Sequence, residues 1–123
     1  MTRDESGGTS TPHTGGVASG DLAIARQFVN TLAERCDPAL FTVTLFGSRA
    51  RGDAADESDL DLFVALACDD PGNRIKKTVR RIAADLTLEH GILVSVRVAD
   101  RTFLERHRGY GLLEAVEREG IRV

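Results

Sequence analysis

Asp59 and Asp61 stand two residues apart at the start of one apolar run, and Gly47-Ser48 closes the run before it, with ten residues between Ser48 and Asp59. In extended chain, residues i and i+2 project from the same face. The two carboxylates therefore lie side by side, while Leu60 and Leu62 face the other way. Anions at that spacing repel unless a cation lies between them. An all-oxygen pair suits a hard ion such as Mg²⁺, which takes one or two carboxylates and completes its shell with water and substrate phosphates. Gly47 lets the backbone approach a bound group closely, and exposed N–H groups beside the Ser48 hydroxyl suit an anion. Cation ligands next to a phosphate cradle are the parts that nucleotidyl transfer needs.

The elements that must position these groups are legible in the pattern. Residues 39–46 are β-branched and aromatic, as in a strand that delivers Gly47 and Ser48 at its end. Residues 59–67 form a second strand, with acids on one face of its first half and apolar residues on both faces of its second. Ahead of them, Leu22, Ala25, Phe28, Val29, Leu32 and Cys36 recur at helical spacing, with Asp21 as the expected N-cap and Asp37-Pro38 as the stop. The turn 69–73, with its acids facing solvent, leads into a helix that ends at His90 before Gly91. Its inward stripe is Ile75, Val79, Ile82, Ala83 and Leu86. Its outward Lys76, Lys77, Arg80 and Arg81 read as a solvated face, with an acidic partner or RNA as the alternative. Residues 92–98 are a third strand, 100–108 and 110–119 short helices, and 121–123 an edge strand. Tyr110 reads as a boundary packing residue. These elements make an α+β fold: a small mixed sheet of three to four strands with helices packed on it.

Composition narrows the function further. The chain has 123 residues, 41% hydrophobic and 28% charged, which is one ordinary globular domain. Residues 1–20 are rich in Gly, Ser and Thr and read as a disordered tail, leaving 21–123 as the domain. A net charge of −3 and the lack of Trp argue against a broad grip on nucleic acid, though not against a single nucleotide. Cys36 and Cys68 are far apart with no His cluster nearby, so they read as free thiols in a reducing compartment. No apolar run approaches the roughly 18–20 residues that span a bilayer. The start of the chain carries no apolar leader. The expected location is cytoplasmic. The acids at 53–57 do not fit the register of an EF-hand calcium loop.

Gly47-Ser48, ten residues, then Asp59-x-Asp61 resembles the signature of the DNA polymerase beta-like nucleotidyltransferases. It is most similar to the minimal nucleotidyltransferases, some of which are antitoxins of HEPN-domain toxins. The motif covers about a sixth of the chain, and the element order resembles the family over roughly residues 21–123. The resemblance implies a polymerase beta-like palm in which Asp59 and Asp61 bind one or two Mg²⁺ ions. It implies that Gly47 and Ser48 hold the phosphates of ATP or another nucleoside triphosphate. Arg49 and Arg51 are further candidates for nucleotide contact, with solvated or salt-bridged arginines as the plain alternative. Family members commonly carry a third acid in the following strand; the matching position here is Ser95. Glu89 and Asp100 end neighbouring elements, but no spacing places either in that role. A hydroxyl is a poor substitute for a carboxylate as metal ligand or base, so two functions stay open. One is transfer of a nucleotide, AMP from ATP, to a hydroxyl acceptor. The other is a binding module that keeps the fold without the chemistry. The resemblance implies as acceptor a protein hydroxyl, as on a HEPN toxin, or a small molecule such as an aminoglycoside. The lack of the extra domain usual in small-molecule enzymes favours the protein, and a chain this small suits a homodimer or heterocomplex.

Overall fold

The structure is a computed structural model that describes residues 17–52, 58–109 and 111–123. The expected tail over residues 1–16, the acids at 53–57 and Tyr110 lie outside the described residues. The elements run α1 (Ser19–Ala33), β1 (Phe41–Phe46), α2 (Gly47–Arg51), β2 (Leu60–Leu66), α3 (Arg74–His90), β3 (Val94–Ala99), α4 (Arg101–Arg106), α5 (Gly111–Glu119) and β4 (Ile121–Arg122). Single 3₁₀ turns at Pro38–Leu40 and Pro71–Asn73 join α1 to β1 and β2 to α3.

Among the described residues, four strands form one sheet in the order β3-β2-β1-β4. β1 pairs antiparallel with β2 and β4, and β2 pairs parallel with β3. The sheet is mixed because the β2–β3 connection carries α3 as a crossover, whereas β1 and β2 pair antiparallel with the short helix α2 following β1. In register, Leu45 faces Leu62, Val43 faces Val64 and Phe41 faces Leu66. These pairs lie on one face, where α1 brings Ile24, Ala25, Phe28 and Leu32 and α3 brings Val79, Ile82, Ala83 and Leu86. The other face carries Phe46, Asp61, Phe63 and Ala65, with Ser95, Arg97 and Ala99 beside them. There α5 lays Leu113 and Val116 against Phe63 and Ala99. Phe46, the strand partner of Asp61, packs against the same cluster.

Several expectations shift. Val17 packs against the core, α1 starts at Ser19 with Ala18 as its N-cap, and Asp21 is therefore no N-cap. It sits buried in the first turn, where a carboxylate complements the helix dipole and where Arg49 pairs with it. Asp70 is not a solvent-facing turn acid. Its two oxygens accept from the N–H groups of Ile75 and Lys76 at 2.8 and 3.0 Å and so cap α3. Asp69 bonds Thr102 and Arg101, and these bonds hold its carboxyl below the usual range. β3 begins at Val94, because Gly91 (φ +70°) closes α3 onto Thr87 and residues 92–93 complete that turn. Asp100 caps α4, which ends at Arg106. Cys36 and Cys68 are free and half-buried, and burial pushes the Cys36 thiol up. Among the described residues, no helix is long and apolar enough to cross a membrane.

Candidate active site

β1 ends at Phe46, and Gly47 at φ +79° turns the chain into α2. That backbone region strains any residue with a side chain. Space excludes one too. A Cβ at Gly47 would overlap Asp61 Oδ2 and stand 3.3 Å from Asp61 Cγ. The missing side chain is what lets the Gly47-Ser48 corner lie directly against the Asp61 carboxylate. Register explains the meeting, since Phe46, the residue before Gly47, is the partner of Asp61. Gly47→Ala should therefore lose about 1–3 kcal/mol of stability and displace Asp61. Urea unfolding together with a binding assay for MgATP checks both effects.

Asp61 is half-buried on β2, and Asp59 is exposed immediately before that strand. Burial raises the Asp61 pKa, the neighbouring Asp59 charge raises it again, and the Arg97 guanidinium lowers it. A carboxylate whose ionisation is opposed by burial and by a neighbouring acid is a site that a divalent cation would relieve. Among the described residues, no group of three or more His, Cys, Asp or Glu side chains could hold a metal. Two carboxylates alone match Mg²⁺, which keeps waters and takes substrate phosphate oxygens. The residues present fit the ion.

Ser95, the position where a third acid was expected, is the β3 partner of Asp61. A carboxylate there would lie beside Asp61, and in its place stands a half-buried hydroxyl. Two residues further on the same face comes Arg97, which the sequence reading did not single out. The signal was present: Ser95 and Arg97 are the polar alternates of an otherwise apolar strand, and that alternation puts them on the acids' face.

The arginines of α2 have other partners. Arg49 is buried, with Nη1 at 2.9 and 3.0 Å from the Asp21 oxygens and Nε donating to Ser58 O at 2.8 Å. It ties α1, α2 and the residue before Asp59 together, the salt-bridged arrangement that was the alternative to nucleotide contact. Arg51 is exposed and reaches Glu119 of α5 at 3.3 Å. A groove of about 750 Å³ opens further along the same face, between β1, Phe63 and α5. Its lining includes neither Asp61 nor Gly47, so it lies beside the carboxylates and not at them.

Comparison with known proteins agrees with this layout. A family model described as a nucleotidyltransferase domain matches residues 25–118. A Methanocaldococcus jannaschii protein named as a candidate protein adenylyltransferase is 30% identical over 95 residues, 74% of this chain and 95% of that protein. A second from the same organism, named likewise, is 26% identical over 95 residues, covering 77% of this chain and 89% of its own. Among solved structures, a toxin–antitoxin crystal structure with AMP-PNP superposes with a TM-score of 0.50 at 23% identity, over 78% of this chain and 69% of that one. That likeness extends to the fold, an α+β nucleotidyltransferase architecture. With the family model spanning most of its length, the chain belongs to the nucleotidyltransferase domain family.

Proposed function

We propose that this chain transfers AMP from ATP to a hydroxyl of a partner protein, with Mg²⁺ held by Asp59 and Asp61. The observation that supports this best is the close approach of Gly47 to the Asp61 carboxylate, which sets the Gly-Ser corner beside the acid proposed to hold the cation. The names of the two archaeal relatives favour a protein acceptor and AMP as the group moved. A HEPN-type toxin is the partner that the resemblance to minimal nucleotidyltransferases implies, and ATP is the proposed donor.

Bound between the two aspartates, one or two Mg²⁺ ions would neutralise triphosphate charge as it develops. The Gly47 N–H and the Ser48 hydroxyl hold phosphate oxygens. Arg49, through Ser58 O, fixes the chain that leads into Asp59. Arg97 places a positive charge on the Asp61 face. The acceptor oxygen bonds the α-phosphorus as the bond to pyrophosphate breaks. The hydroxyl proton passes to water, since Ser95 offers no carboxylate to receive it.

That same serine favours a second reading, a partner-binding module that no longer transfers nucleotide. The two separate in one assay: α-labelled ATP, Mg²⁺ and a purified HEPN protein, with the native chain and Ser95→Asp. Under the proposal the native chain labels its partner, and Ser95→Asp raises the rate by on the order of 10²-fold by supplying the base. Tight partner binding with no label moved by the native chain would assign it to the module.

A further inference from the structure

β3 is an edge strand, and among the described residues no strand pairs with its outer side. Leu93 O accepts from Leu60 N at 2.9 Å, so odd-numbered residues of β3 bond inward to β2. Val94, Val96 and Val98 therefore direct their backbone groups outward. The Val94 N–H confirms that direction by donating to Thr87 Oγ1 at 2.9 Å. This edge is also apolar. Of the four exposed large apolar side chains among the described residues, three flank it: Leu88 (84% exposed), Leu93 (55%) and Phe103 (38%). A groove of about 470 Å³ runs between α3 and β3, walled by Ala83, Ala84, Leu88, Leu93, Val94 and Val96. Natural edge strands are usually blunted by charge, proline or a covering element, and exposed apolar side chains gathered in one place mark interaction sites.

The surrounding charge narrows the occupant. Arg80 lines the groove, and Lys77 precedes it by three residues on the same stripe of α3. Arg97 is exposed on the opposite face of β3. An added strand alternates its side chains between the two faces. One set would enter the apolar groove, and the other would stand beside Arg97.

We propose that the β3 edge receives an extended segment of a partner protein, apolar at alternate positions and acidic between them, by strand addition. Backbone pairing to Val96 and Val98 gives the affinity; Leu88, Leu93 and Arg97 select the side chains. The surface adjoins the carboxylate site at Arg97 and serves a catalytic and a non-catalytic chain alike.

The probe is a short fluorescein-labelled peptide alternating valine and glutamate, titrated into the full chain and followed by anisotropy. A valine–lysine peptide is the control. Leu88→Asp alters a side chain that is almost entirely in solvent. Val96→Pro removes an N–H that serves no bond within the sheet, the one strand setting where proline is tolerated. Thermal unfolding verifies that both variants stay folded. The acidic peptide should bind, each variant should weaken it by roughly tenfold or more, and the lysine peptide should not compete. Absence of binding by the acidic peptide, equal binding of both peptides, or unchanged affinity in the variants would overturn the proposal. So would sedimentation as a dimer that Leu88→Asp dissociates, which would assign the edge to a second copy of this chain.

Discussion

Asp61→Asn should lower AMP transfer by about 10³-fold, the scale expected when a group that stabilises transition-state charge is removed, without loss of fold. The amide keeps the size and bonding reach of the side chain but not its charge, so the divalent cation of the proposed function would lose one of its two proposed protein ligands. Stability should move the other way. Burial and Asp59 raise the Asp61 pKa, so the fold favours the protonated carboxyl. The stabilisation this provides is full below the unfolded value of about 3.9. It is lost as pH rises through the higher folded value. Transfer needs the ionised form, so activity should climb across that window while stability falls, and Mg²⁺ should shift both changes to lower pH. Asp61→Asn should flatten the pH dependence of stability. Initial rates with labelled ATP and urea unfolding across acidic pH test the two halves separately. Transfer within a few-fold of the parent would remove Asp61 from the chemistry.

The largest effect on stability is expected at Arg49. Arg49→Met leaves the Asp21 carboxylate buried without its guanidinium and Ser58 O without its donor. Breaking such a buried pair from one side costs about 3 kcal/mol, mostly the desolvation of the charge left behind. Asp21→Asn added to Arg49→Met should recover much of that loss, since both partners are then neutral. Transfer should fall with the single variant as well, because Ser58 precedes Asp59 and its anchor is gone. Chemical denaturation of the two single variants and the double variant gives the cycle. An Arg49→Met chain as stable as the parent would show that the pair carries no weight. Nucleotide affinity in the same variants separates bracing from direct contact.

The fold was legible in the chain because its signals are local. Helical spacing marked α1 and α3, Gly91 marked the end of α3, and β-branched runs marked the strands. The spacing of Asp59 and Asp61 predicts both carboxylates on one face of an extended chain, although the strand itself starts at Leu60, after Asp59. What no local pattern could state was partnership. Arg49 and Asp21 are 28 residues apart, and nothing in either neighbourhood distinguishes a buried brace from a solvated charge. The same holds for Asp70, whose two bonds reach past a proline turn into α3. Register across β2 and β3 set Ser95 opposite Asp61 and put Arg97 on the acids' face. Among the described residues no strand pairs with β3 on its outer side, which leaves its valine edge open. Residue types and spacing thus determined which chemistry this chain can offer. Strand pairing and burial, which depend on contacts distant in sequence, decided which charges meet and which edge remains free.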